Sequence, residues 1–332
     1  MRPPEFWSAN AQGRDAARTL RFLLRPVSWA YAVLAGRRMR STAPRHAPVP
    51  VICIGNLTVG GAGKTPLARA IRAKLGPHAH TLSRGYGGRA VGPLRVTADM
   101  DAREVGDEPL LHARDGPAWI ARDRFAGAMA AAQAGAHVII MDDGFQNPTL
   151  AKDLSIIAVD PGYGIGNGEV FPAGPLRERL SNGLERADAI VMLGDLTEDA
   201  SWLNDFQKPI LFARLAPSTP PPRGRLLAFA GLARPEKFFD TLEAAGGEVV
   251  DAVPFADHHP YTEDDLRLLA QIARERDDAQ LITTEKDAAR LSPEWRARVA
   301  VLPVVAKFDD ETALDALLAP IASRMTAAHG EA

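Results

Sequence analysis

The chain has 332 residues, 46% of them hydrophobic and 24% charged, which leaves room for about two domains of roughly 100–200 residues each and excludes wholesale disorder. A formal net charge of −2 excludes a generic polyanion binder, nucleic acid included, and a single cysteine, Cys53, excludes a disulfide framework and a cysteine-rich metal site. The charge is uneven: nine arginines (2, 14, 18, 21, 25, 37, 38, 40 and 45) against Glu5 and Asp15 make residues 1–48 +7 and leave −9 for the remainder, a basic end on an acidic body.

In chain order, residues 14–40 mix arginine with Leu20, Phe22, Leu23, Leu24, Val27, Trp29, Tyr31, Val33 and Leu34. This basic, amphipathic composition predicts a helical segment, kinked or divided at Pro26. Two readings stand: an interfacial helix with arginines for anionic headgroups and Trp and Leu for the acyl boundary, or a helix packed on the core with a solvated Arg face. No secretory signal precedes it. No stretch suits a transmembrane helix, since the best uncharged one, Phe125–Met141, is rich in Ala and Gly and holds His137. The expectation is an intracellular protein.

After Pro48 short apolar runs alternate with helical stretches. Strands are predicted at Val51–Ile54, Val138–Met141, Ser155–Val159, Ala189–Leu193 and Ile210–Ala213, and helices at Lys64–Leu75 and Arg122–Ala134. Apolar runs without alternation suit parallel strands covered on both faces, joined by right-handed βαβ crossovers. The expected fold is therefore α/β, a P-loop NTPase-like, doubly wound, mainly parallel sheet. Pro217–Arg223, with four prolines in seven residues, reads as a linker. Beyond it, strands at Leu226–Ala230, Glu248–Val253, Gln280–Thr283 and Val299–Val305, with helices near Pro235–Ala245 and Thr262–Arg276, predict a second, smaller α/β unit. The division expected is 1–48 for the N-terminal segment, 49–216 for the core and 217–332 for the smaller domain.

The run from Ile54 to Pro66 follows a strand and opens a helix, the context a P-loop requires. Thr58, Val59, Gly60, Gly61, Ala62, Gly63, Lys64 and Thr65 form its nucleotide-binding loop. The glycines let backbone N–H groups close on phosphate oxygens at a helix N-terminus. Lys64 would reach the β- and γ-phosphates, and the Thr65 hydroxyl would bind Mg²⁺. The strict pattern has Gly where this chain has Thr58. The strand Val138–Met141 runs into Asp142 and Asp143, which describes a Walker B element; either aspartate can serve Mg²⁺, directly or through water. Without an Asn-Lys-X-Asp signature, ATP is preferred to GTP. Cys53, inside a buried strand, reads as an inert core thiol.

Taken together, GNLTVGGAGKTP, SRGYGG (Ser83–Gly88), GDEP (Gly106–Pro109), DDGFQ (Asp142–Gln146), FPAGPLRE (Phe171–Glu178), ADHHPY (Ala256–Tyr261) and TTEKDAARL (Thr283–Leu291) resemble the tetraacyldisaccharide 4′-kinase family of the lipid A pathway. Ala62 stands where Thr is expected in that family, a change the backbone-built loop tolerates. The resemblance implies ATP- and Mg²⁺-dependent phosphorylation of the 4′-hydroxyl of a tetraacylated glucosamine disaccharide 1-phosphate. It places the reaction at the cytoplasmic face of the bacterial inner membrane, with the N-terminal segment touching the bilayer and no obligate protein partner. It also selects Asp107 as the base that accepts the hydroxyl proton and His258, rather than His259, as its partner, so that closure of the second domain would assemble the pair. Arg84 and Arg177 are candidate phosphate or acceptor contacts, and Glu178 could join Asp143 around Mg²⁺. The competing readings are another membrane-associated P-loop ATPase or GTPase and a nucleotide switch anchored by the basic end.

Overall fold

A computed structural model describes residues 4–8, 15–196 and 200–327; Arg2 and Arg14, part of the basic end, lie outside the described residues. The elements run α1 Asp15–Ser41, β1 Val51–Gly55, α2 Lys64–Leu75, β2 Ala79–Ser83, β3 Leu94–Val96, α3 Ala102–Val105, α4 Asp107–Asp115, β4 Ala118–Ile120, α5 Arg124–Gln133, β5 Val138–Asp142, β6 Leu154–Val159, α6 Leu180–Arg186, β7 Ala189–Leu193 and β8 Ile210–Pro217. There follow β9 Arg225–Ala230, α7 Glu236–Ala244, β10 Glu248–Pro254, α8 Glu263–Glu275, β11 Gln280–Thr284, α9 Glu285–Ala288, α10 Pro293–Arg296, β12 Ala300–Leu302, β13 Val304–Phe308 and α11 Glu311–Ala327.

Nine strands form one sheet in the order β13-β8-β7-β6-β1-β5-β2-β4-β3, parallel except for the two edge strands. Residues of β1 alternate between its faces. Ile52 and Ile54 join the layer with Leu67 and Ile71 of α2 and Leu314, Leu318 and Ile321 of α11. Val51 and Cys53 join the opposite layer with Ala128 of α5, Phe145 and Ile190. Burial on both faces explains the unbroken apolar runs. Cys53 is wholly buried, which pushes its thiol up to about 12 and keeps it an inert member of the core. Strand order reverses around β1, with β5 on one side and β6 on the other. A crevice therefore opens beyond the carboxyl ends of these strands, where ligands bind in such sheets.

The smaller sheet, β10-β9-β11-β12, is wholly parallel and lies between α7 on one face and α8 on the other. Of the stretch expected to form the second unit, residues 225–302 build this sheet, whereas β13 and α11 return to the large one. The single strand expected at Val299–Val305 is two: Pro303 has no N–H to donate to either ladder, and β12 and β13 part there into different sheets. The expected linker also starts late, because Pro217 ends β8 opposite Val304.

Pro26 does not divide α1, which is continuous from Asp15 to Ser41. Proline removes one backbone hydrogen bond, and anchors on both sides hold the helix. Arg21 Nε donates to Phe6 O (2.9 Å), and the Ser28 hydroxyl accepts from Ala173 N (2.9 Å). Trp7 is buried, its Nε1 donating to Pro172 O at 3.0 Å. The other side leaves Phe22, Leu23, Trp29 and Leu34 64–70% exposed. Among the described residues no helix is long and apolar enough to cross a membrane.

Gly55 closes β1 against Phe145, where an added Cβ would lie 2.3 Å from the phenylalanine Cβ. Gly55→Ala should therefore overpack the core and cost about 1–3 kcal/mol, seen as a lower urea midpoint; an unchanged midpoint would refute this account of the packing.

Candidate active site

The phosphate loop leaves β1 at Asn56, a buried residue whose side chain organises the turn. Its Nδ2 donates to Thr58 O (2.7 Å) and Gly60 O (3.2 Å), and its Oδ1 accepts from Lys64 Nζ (3.3 Å). Gly60 (φ 122°) and Gly63 (φ 73°) adopt backbone angles that side chains disfavour. At Gly63 a Cβ would also strike Leu193 at 2.7 Å, while beside Gly60 and Gly61 the space is open to 4 Å. Thr58 is tolerated in place of Gly because it has no positive φ and instead bridges to Leu176. Val59 N donates to Pro175 O (2.8 Å) and Arg177 Nε to Thr58 O (3.1 Å), fastening the loop to the segment around residue 176.

The two aspartates have different surroundings. Asp142 ends β5 and is 1% exposed; its Oδ2 accepts from Thr65 Oγ1 (2.9 Å) and lies 2.9 Å from His112 Nε2, while its Oδ1 is buried without a hydrogen-bond partner. Asp143 sits in the left-handed region (φ 52°), with Oδ1 2.8 Å from Arg177 Nη1 and 3.6 Å from Lys64 Nζ. Burial would raise its pKa, but Lys64 and Arg177 outweigh that and hold the carboxyl below its ordinary value. The orphaned Asp142 Oδ1 beside the Thr65 hydroxyl suits a hard cation that takes oxygen ligands. Among the described residues no group of three or more His, Cys, Asp or Glu side chains could hold a metal by itself. Glu178 is directed elsewhere: its carboxylate accepts from Gln146 Nε2 (3.1 Å) and pairs with Arg186. Arg84 follows β2 at the same edge of the sheet and is exposed.

Gly106 (φ 93°) caps α4, so Asp107 is the first residue of a helix, not part of the tight turn that Gly106 and Pro109 suggest. Asp107 is 5% exposed, and its Oδ1 accepts the Glu108 amide at 2.9 Å. Its Oδ2 is met from the smaller sheet's unit by His258 Nδ1 (3.1 Å) and Arg290 Nε (2.8 Å). Burial works to raise the carboxyl, yet His258, Lys286 and Arg290 together hold it well below the usual carboxylate range. The adjacent histidines part company. His258, with φ 57°, reaches Asp107 and tilts against Tyr86 (centroids 5.5 Å apart), whereas His259 bonds Asp265, which completes the capping box of α8 with Thr262, at 3.0 Å.

Asn56, His112, Lys286 and Arg290 escape the sequence reading. Asn56 borders the loop and Arg290 lies inside TTEKDAARL, but their partners are visible only once distant segments meet. His112 carries no local signal, being an ordinary residue of α4 until that helix is laid against β5.

A strand, a glycine loop and a helix carrying Lys64 and Thr65, with an acid on the neighbouring strand hydrogen-bonded to that threonine, define a P-loop nucleotide-binding protein. The family model described as LpxK, tetraacyldisaccharide-1-P 4′-kinase, matches residues 20–322. The chain belongs to that family. It is 50% identical to the tetraacyldisaccharide 4′-kinase of Hyphomonas neptunium, covering 98% of this chain and 99% of that one. It is likewise 50% identical to the enzyme so named from Rhodospirillum centenum, over 97% of each. The crystal structure of LpxK from Aquifex aeolicus in complex with ATP superposes with a TM-score of 0.72 at 27% identity, covering 91% of this chain and 99% of that one. These matches do not favour the alternatives of an unrelated P-loop ATPase or a nucleotide switch.

Among the described residues Lys64 Nζ meets Asn56 of the loop and Asp143 just after β5. Lys64→Ala should lower turnover by about 10²–10³ and leave the thermal unfolding transition in place; near-normal turnover would defeat the P-loop assignment.

Proposed function

We propose that this protein is an ATP-dependent kinase that phosphorylates the 4′-hydroxyl of a tetraacylated glucosamine disaccharide 1-phosphate, a step of lipid A biosynthesis. Family membership supports the substrate and the donor. The observation that supports the mechanism is the Asp107–His258 pair, 3.1 Å apart, which joins the two units at the start of the helix whose His112 meets Asp142.

The loop amides and Lys64 receive the phosphate oxygens, and Arg177 holds Asp143 beside Lys64. Thr65 and Asp142 would hold Mg²⁺, which would neutralise charge on the β- and γ-phosphates. The acceptor oxygen forms a bond to the γ-phosphorus, the bond from that phosphorus to the ADP oxygen breaks, and the hydroxyl proton passes to Asp107. Asp107 is ionised but so weakly basic that it takes the proton late, which suits a loose transition state in which the hydroxyl becomes acidic only as its oxygen engages phosphorus. Positioning and charge, rather than strong basicity, then carry most of the acceleration.

The substrate's acyl chains put the reaction at a membrane surface. The described arginines of α1 and its exposed Phe22, Leu23, Trp29 and Leu34 suit an anionic leaflet, here the cytoplasmic face of the inner membrane, with the protein peripheral.

Asp107→Ala should lower kcat by about 10²–10⁴ with little change in acceptor KM; an unchanged kcat would remove Asp107 from the role of base. The combined substitution Phe22→Ser, Trp29→Ser and Leu34→Ser should weaken binding to vesicles containing phosphatidylglycerol without altering thermal stability, because all three side chains are exposed. Undiminished partitioning would rule out α1 as the docking surface.

A further inference from the structure

Arg290 has no part in the mechanism above, yet it is the cation closest to its base. Its side chain is 9% exposed, its Nε donates to Asp107 Oδ2 at 2.8 Å, and its Nη2 lies 2.7 Å from the same oxygen. That second approach is an ion pair but is off the line of a hydrogen bond, so Nη2 is a buried donor without an acceptor. The guanidinium is also fixed from behind. Asp287, wholly buried, accepts Arg290 Nη1 (3.0 Å), Tyr261 OH (2.9 Å) and Gly231 N (3.0 Å) on one oxygen and Thr284 Oγ1 (2.6 Å) on the other. Burial and Asp287 together hold the Tyr261 hydroxyl firmly protonated, so it acts as a donor in this network. One helical turn before Arg290, Lys286 pairs with Glu108 at 3.0 Å, next to Asp107 on α4.

We propose that Arg290 is a positioning residue of the phosphotransfer: carried by the smaller unit, it aims the Asp107 carboxylate and keeps it ionised, and so sets the lowest pH at which the base works. The inference rests on the role assigned above to Asp107. Both Arg290 nitrogens and His258 crowd Oδ2, whereas the partner of Oδ1 among the described residues is the Glu108 amide. A carbonyl-type oxygen accepts twice, so Oδ1 is the atom left to take the hydroxyl proton. The charged and titratable groups facing Asp107 are His258, with Asp257 behind it, from the loop after β10; Lys286, Asp287 and Arg290 from α9 and the residues after it; and Glu108 on its own helix. Lys286 is held charged by Glu108, Asp107 and Asp257 despite its burial. Arg290 differs from the rest of the set in being a permanent cation in direct contact with the carboxylate.

Activity that needs Asp107 ionised is present above its pKa and lost as pH falls through it. Removing Arg290 raises that pKa, so the loss should come at higher pH. The test is the pH dependence of kcat/KM for the full chain, with ATP and tetraacyldisaccharide 1-phosphate in detergent micelles, for the wild type, Arg290→Gln, Arg290→Lys and Asp107→Asn. The acidic limb should move up by about 1–3 pH units in Arg290→Gln and by less in Arg290→Lys, whose ammonium keeps the charge but not the fork. An acidic limb in Arg290→Gln that coincides with the wild type, whatever the rate, would overturn the proposal and leave Arg290 a structural tie. Should Arg290→Gln fail to fold, Arg290→Lys decides in the same way, an unmoved limb overturning the proposal. Full kcat in Asp107→Asn would instead reject the base, and the inference with it. Loss of kcat there, with an unmoved limb in the arginine variants, rejects the inference alone.

Discussion

The carboxylate of Asp142 is the constraint around which the catalytic edge is arranged. A charge this deeply buried is tolerated only when it is paired and hydrogen-bonded. Its partners come from two elements other than its own strand β5: Thr65 at the start of α2 and His112 of α4. The same atom thereby fixes the helix that caps the phosphate loop and the helix whose first residue is Asp107. Two donors converge on Oδ2 and none on Oδ1. The asymmetry commits one oxygen to the fold and leaves the other without a hydrogen bond.

The second constraint joins the two sheets. Asp107–Arg290, Glu108–Lys286 and Arg69–Glu285 link α2 and α4 to α9 and the turn after it, and Asp160, just after β6, meets Arg234 and Lys237 before and within α7. Pairs at exposed positions contribute little to stability, about 0–1 kcal/mol each. Those made by Asp107 are desolvated, and losing one partner there would leave a buried charge uncompensated. The ion pairs thus specify the relative placement of the units more than they strengthen either.

Much of this was legible in the chain. Parallel strands announced themselves as apolar runs because both faces of β1, β5, β6 and β7 are covered. The phosphate loop was readable because its glycines, Lys64 and Thr65 are contiguous in the chain. The illegible parts depend on distance. β3 and β4, three residues each, are too short to carry a period, and His112 becomes informative only when α4 meets β5. Gly106 and Pro109 suit a tight turn, yet Pro in the first turn of a helix is equally at home, and Asp107 begins α4. Glu178 looked like a companion of Asp143 because Arg177 precedes it, but neighbours in sequence point apart: Arg177 takes Asp143 and Glu178 takes Arg186. Pro303 sits in a valine-rich run with the look of one strand, yet it is where the chain changes sheets.

That change of sheets has a mechanical consequence. The chain leaves the large sheet after Pro217 and rejoins it at Val304, and these two residues face each other across the β8–β13 ladder. The smaller unit is therefore a loop insertion whose two ends are clamped side by side, and it meets the large sheet's chain through a pair of adjoining strands instead of a single thread. A body tethered this way can rock about the line through its two attachments but has little freedom to twist or drift. His258 and Arg290 are therefore held at a high local concentration around Asp107 by the double tether. Contacts between residues far apart in sequence, Asp107 with His258 and Arg290, thereby carry a smaller closure entropy than a single flexible thread would impose.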